Sequence, residues 1–121
     1  TKVGLLAYSP LAAGILTGKY QDGVFPAGSR GALDNALGGR NSLSHWRDAV
    51  DAYLEIAKKH DLLPEHLALR FCLSRYFMTS VIIGATSMEQ LKNAISAADA
   101  PLSQEAFDEI EAVHRQYPLP Y

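Results

Sequence analysis

The stretch VIIGATSMEQLKNAI, residues 81–95, contains a short strand and a helix with almost nothing between them. Its first five residues, Val81 to Ala85, are apolar without polar alternation, the pattern of a strand covered on both faces, as in parallel sheets. The exit holds two overlapping capping boxes, Thr86 with Glu89 and Ser87 with Gln90, so a helix starts at once in either register. Leu91, Ala94, Ile95 and Ala98 give that helix one inward stripe. A buried strand feeding a capped helix is the repeating unit of an α/β protein.

Upstream, PEHLALRFCLSRYF predicts a helix over 64–77, with Pro64 at the first helical position, where its missing amide costs nothing. Leu67, Ala68, Leu69, Phe71, Cys72 and Leu73 cover most of its circumference, so more than one neighbour must pack on it. A helix over 45–60, capped by Ser44, is predicted before it, because Trp46, Val50, Tyr53 and Ala57 recur on one side. Glu55 and Lys59 are spaced for a solvent-facing ion pair. The chain opens with a strand over Val3 to Tyr8, closed by Ser9-Pro10. Residues 9–44 then form a long connection carrying seven of the nine glycines, with helical turns allowed at Ala12 to Leu16 or Leu33 to Leu37. Downstream, Ser103 caps a last helix, Leu102 and Phe107 are placed as a hydrophobic staple, and Phe107, Ile110, Val113 and His114 continue its face until YPLPY stops it.

The order is therefore strand, long loop, two helices, strand, two helices. Two parallel strands joined by helices make a right-handed crossover, but each still needs a neighbour on its other edge. This implies roughly the last third of a β/α barrel or another α/β fold. The loop after the first strand and the helix start after the second both follow carboxyl ends of strands, the side on which such folds bind ligands. Gly84, Thr86 and Ser87 offer amides and hydroxyls to an anion there, although a purely structural cap uses the same residues. Tyr8, at a strand mouth, either presents its ring to a planar ligand or packs into the core. Ser9 lacks the nucleophile turn of a hydrolase, and His45, His60, His66 and His114 are scattered without the spacing of metal ligands.

Composition narrows the function classes. The 121 residues suit one domain, and eleven basic against thirteen acidic residues give a net charge of -2, which disfavours nucleic acid as a partner. No apolar run approaches the roughly 20 residues needed to span a bilayer. One cysteine, Cys72 in an apolar stretch, cannot form an internal disulfide and fits a buried thiol in a reducing cytoplasm. The absence of an initiating Met and the immediate entry into a strand predict a segment of a longer chain.

YSPLAAGILTGKY at Tyr8 to Tyr20, LALRFCLSR at Leu67 to Arg75 and VIIGATSMEQLKNAI at Val81 to Ile95, in this order, resemble the C-terminal portion of aldo-keto reductases. The tail LSQEAFDEIEAVHRQYPLPY resembles the Tas-like, NADP(H)-dependent bacterial branch and, more distantly, potassium-channel β subunits. The resemblance implies a (β/α)8 TIM barrel of which this α/β chain, 1–121, is an incomplete segment holding strands seven and eight, with 9–44 as a cofactor-side loop and 102–121 as a C-terminal helix and tail. It implies an NADPH cofactor, with Tyr8 on the nicotinamide ring, Ser9, Pro10, Leu11 and Ala12 along the pyrophosphate, Lys19 and Arg30 near phosphate oxygens, and Gly84, Thr86 and Gln90 at the adenosine 2'-phosphate end. Asn93 stands at the family's acidic position and Ala94 at its Asn position, so an adenine-edge bond is missing unless Asn93 rotates in or water substitutes. The family's catalytic Asp, Tyr, Lys and His have no matching motif here. The resemblance therefore implies an oxidoreductase that reduces an aldehyde or ketone in the whole protein, and an inactive segment in isolation. A noncatalytic NADP-binding regulatory module resembling channel β subunits, or a structural oligomer joined through open strand edges, are the alternatives.

Overall fold

A computed structural model describes residues 2–33 and 46–119 of the chain. The expected cap Ser44, the helix start at His45, residues 34–37 of the second proposed turn and the last two residues of the tail lie outside them. Strand β1 spans Leu5–Ala7 and strand β2 spans Met78–Val81, paired parallel with Leu6 opposite Ser80 and Ala7 opposite Val81. Between them come a 3-10 helix at Ala12–Thr17, the four-residue α1 at Arg30–Leu33, α2 at Trp46–Lys59 and α3 at Pro64–Leu73. After β2 follow α4 at Met88–Ser96, a 3-10 turn at Ala97–Asp99 and α5 at Gln104–Gln116.

The strands depart from expectation in both extent and burial. The second strand starts three residues before Val81 and ends on it, instead of running to Ala85. The reason is pairing: β1 ends at Ala7, Ser9 turns into the left-handed region at φ 56°, and Ile82 makes the last rung by donating its amide to the Ala7 carbonyl at 2.7 Å. Past that rung no strand among the described residues runs alongside. Nor are the strands buried, since Leu5 is 46% and Leu6 59% exposed and Thr79 and Ser80 of β2 are exposed as well; a sheet of two strands cannot cover its own faces and edges.

The helix starting at Pro64 ends at Leu73, not Phe77. Ser74 closes it, its hydroxyl donating to the Phe71 carbonyl at 2.6 Å, and the turn at 75–77 hands the chain to β2.

The core divides in two. Ile15 and Tyr20 from the long loop pack with Trp46 and Val50 at the start of α2. Ile56 and Ala57 at its other end pack with Leu67 of α3 and with Ala106 and Ile110 of α5. The predicted α2 stripe thus serves both clusters, because a helix of 14 residues is long enough to lean on two neighbours. Each fully buried large apolar side chain contributes about 1.5–3 kcal/mol. Ser103 caps α5 as expected, accepting from the Ala106 amide at 3.1 Å. Lys59 departs from its expected partner: its ammonium lies 3.0 Å from Glu105 and 2.9 Å from Glu109, joining α2 to α5.

Candidate functional site

The Ile82–Ala7 rung brings the exits of both strands side by side. Tyr8, the first residue beyond β1, is 80% exposed, so its ring is offered outward and is not part of the core. The chain then enters an unusual turn, with Ser9, Ala12 and Ala13 all left-handed at φ 56°, 50° and 60°. Non-glycine residues avoid this region, and such strain concentrates where a loop must hold one shape at a functional site. Alanine gives no sequence signal for it. Gly14, at φ 93°, continues the turn and leaves room for the Lys19 stem, which folds back over it with the ammonium 5.3 Å from the Tyr20 ring centre. Pro10 is half-buried and lines a cavity.

Arg30 opens α1 on an exposed face. Its helix is moored by the neighbouring Gly31, whose buried amide donates to the Tyr20 hydroxyl at 3.0 Å. Gln21 fastens the middle of the loop to α2, donating to the Arg47 carbonyl at 2.9 Å and to Asp51 at 2.7 Å.

On the second strand's side, nothing lies within 4 Å of the position a Cβ would take on Gly84, so the backbone there is open to approach. Of the two capping registers the structure uses Ser87 with Gln90: the Gln90 amide donates to Ser87 Oγ at 3.2 Å. The Gln90 side chain reaches one residue further back than a standard box, its Oε1 accepting from the Thr86 amide at 2.9 Å and the Thr86 hydroxyl at 3.1 Å. Thr86 and Gln90 are therefore one unit at the head of α4. With the Gln90 amide taken by Ser87, the Met88 and Glu89 amides ahead of it have no intrahelical carbonyl to meet and, with the helix dipole, suit negative charge. Asn93 sits elsewhere: its side-chain amide donates to Glu65 Oε1 on α3 at 2.7 Å. That bond had no signal in the sequence, since the partners are distant and on different helices.

A cavity of about 600 Å³ lies under the Pro10 turn, walled by α2, α3 and α5. Leu67, Phe71, Phe77 and Ile110 make it apolar, and Tyr8, Gly84, Thr86 and Gln90 take no part in it. Arg75 at its rim is stacked near the Phe71 and Phe107 rings and lies 3.9 Å from Glu111. It is therefore not a cradle for a charged ligand. Burial pushes the thiol of Cys72 on its wall up, so that thiol is a poor nucleophile. His60, Glu105 and Glu109 bring potential ligand atoms within 4.8 Å of one another, a grouping invisible in their scattered positions, but Lys59 already supplies the cation between the two carboxylates.

The chain is thus an α/β unit whose exposed aromatic, left-handed turn and open helix start gather on the carboxyl edge of its sheet. It belongs to the aldo/keto reductase family, whose model matches residues 1–115. Protein tas of Escherichia coli (strain K12) is 45% identical over 118 residues, covering 98% of this chain and 34% of that protein. A probable voltage-gated potassium channel subunit beta of Oryza sativa subsp. japonica is 38% identical over 120 residues, covering 96% of this chain and 37% of its own length. An uncharacterized oxidoreductase of Mycobacterium tuberculosis (strain ATCC 25618 / H37Rv) is 36% identical over 113 residues, or 93% of this chain and 34% of its own. The chain spans about a third of the length of the curated relatives it matches.

NADP(H) binding is consistent with this family, and the residues fit the group. Tyr8 has an exposed ring face suited to a planar group, the loop carries Lys19 and Arg30, and nothing crowds the backbone at Gly84. The α/β fold is consistent with the family's barrel, although the described residues contain two strands and no closed barrel. Among them no helix is long and apolar enough to cross a membrane.

Proposed function

We propose that the chain is the cofactor-binding, C-terminal segment of an NADP(H)-dependent aldo-keto reductase, its two strands being the seventh and eighth of a (β/α)8 barrel. Residues 9–44 are the loop on the cofactor side and 102–121 the closing helix and tail. The observation that carries this reading is the Ala7–Ile82 rung, because it sets the exit of β1, with exposed Tyr8 and the left-handed turn, beside the exit of β2, which leads through Gly84 to α4.

When bound, NADPH supplies hydride for the reduction of an aldehyde or ketone. Tyr8 offers the stacking face for its nicotinamide, and Ser9, Pro10, Leu11 and Ala12 form the wall along its pyrophosphate. Lys19 and Arg30 provide positive charge from the loop, while Gly84, Thr86 and Gln90 receive the adenosine end. None of these residues is a proton donor matched to the carbonyl, so the segment binds and orients, and the acid–base work belongs to the rest of the protein. On this reading the protein acts in the cytoplasm, where a pool of the reduced cofactor would supply it.

A noncatalytic, regulatory role keeps some support from the identity to a probable channel β subunit. The two readings part in one pair of measurements. Fluorescence titration with NADPH is expected to show saturable binding, and an assay with simple aldehydes no turnover by the 121-residue chain and clear turnover by the full-length protein. Binding without turnover in the full-length protein favours the regulatory reading; no binding in either overturns both.

A further inference from the structure

Helix α4 carries Thr86 and Gln90 at its head, yet it contributes no buried residue to the core. Leu91 and Ala94 are only half-covered. Its firmest attachments are all in its second half. Asn93 Nδ2 donates to Glu65 Oε1 at 2.7 Å, a bond strengthened by the carboxylate's charge. The Asn93 carbonyl, near the end of the helix, is met by His66 Nε2 at 2.9 Å and by the Ser96 hydroxyl at 2.8 Å. A carbonyl only accepts, so Nε2 is the protonated ring nitrogen, and it also lies 3.0 Å from Ser96 Oγ. Directly afterwards Ala97, fully buried, closes the attachment.

We infer that Glu65 and His66 on α3 are positioning residues for the adenosine end of the cofactor site, acting through Asn93 and Ser96, and that Asn93 serves this latch and not the ligand. The inference rests on the reading of the sheet's carboxyl edge as the cofactor site. Its physical basis is leverage. A helix of nine residues is about 13 Å long at 1.5 Å per residue, so a tilt of about 10° at its attached end moves its free end by about 2 Å. Contacts to a phosphate are lost over such a distance. The commitment of Asn93 to Glu65 also accounts for the side chain at the family's acidic position being turned away from the helix head.

A double-mutant cycle in the protein tests this, with NADPH affinity read by fluorescence titration and the exchange of backbone amides 88–96 read by mass spectrometry. Glu65→Ala and Asn93→Ala are each expected to weaken NADPH about three- to tenfold and to speed exchange across α4. The double variant is expected to be no weaker than either single one, because both break the same bond. Glu65→Gln, which still offers an accepting oxygen, is expected to stay within about twofold of wild type. Additive losses overturn the inference by making Asn93 an independent contact of the ligand, and unchanged affinity in both single variants overturns it by removing the lever. If the wild-type protein itself binds no NADPH, the proposed function fails and this inference with it, an outcome told apart because wild type and variants then read alike.

Discussion

The amide of Gly31 donates to the hydroxyl of Tyr20 at 3.0 Å, and both residues are buried. This bond ties the loop at Gly31 to the cluster that Tyr20 forms with Ile15, Trp46 and Val50. Arg30 is carried by the same attachment. Tyr20→Phe keeps the ring but strands a buried amide, which costs about 1–3 kcal/mol. The expected outcome is a lower denaturant midpoint with an unchanged slope, together with weaker binding of NADPH and NADH alike; an unchanged midpoint would contradict it.

A methyl at Gly31 would overlap the Phe25 ring and stand 3.0 Å from Tyr20 Cε1. Phe25 and Tyr20 pack against each other with ring centres 5.4 Å apart, so neither ring yields freely. Gly31→Ala is expected to destabilise by about 1–3 kcal/mol through overpacking, measured by chemical denaturation.

Gln90 accepts from Thr86 through Oε1, a role that Glu can fill equally well. Gln90→Glu therefore preserves the cap while placing a negative charge at the proposed 2'-phosphate end. NADPH affinity is expected to fall about tenfold or more and NADH affinity to change little, with the difference shrinking in high salt. Equal losses for the two cofactors would assign Gln90 to the scaffold alone.

Lys19 and Arg30 are proposed to meet phosphates common to both cofactors. Lys19→Ala and Arg30→Ala are expected to weaken NADPH and NADH in parallel, by up to about tenfold each, because charge-assisted bonds contribute about 1.5–3 kcal/mol when well formed and less when exposed. Titrations at two salt concentrations check this; unchanged affinities would remove the loop from the site.

Glu109 is held below the ordinary carboxylate range, first by its bond to Lys59 and then by that to His60. Lys59 is correspondingly raised, chiefly by Glu109 and then Glu105. The stabilisation through Glu109 is fully present above its unfolded value of about 4.3 and fades as pH falls through the lower folded value; that through Lys59 is present below about 10.4 and fades as pH rises through the higher folded value. Thermal midpoints are expected to be level across the neutral range on this account. Lys59→Met should lower that plateau slightly and make the acid limb below pH about 4 shallower, which melts recorded from pH 2 to 7 would reveal.

The exposed Leu5 and Leu6, on a sheet that among the described residues has two strands and two unpaired edges, predict self-association of the isolated chain. Sedimentation at several concentrations should show mass rising with concentration. A cooperative monomer throughout that range would show that the chain covers its own edges.

Much of this was legible locally. The apolar run before Ser9-Pro10, Pro64 at the head of α3, the Ser87–Gln90 cap and the Ser103 cap depend on residues within four positions of one another. Backbone sterics and side-chain capping act over that distance, so the sequence by itself determined the element order and the parallel α/β class. Tertiary structure alone decided where β2 ends, because a strand lasts only as long as its partner and β1 stops at Ala7. It also decided that Lys59 meets Glu109 across helices and not Glu55 one turn back, and that Asn93 meets Glu65. Such choices follow from which helices lie side by side, and spacing along one chain carries no information about a neighbour 28 or 50 residues away.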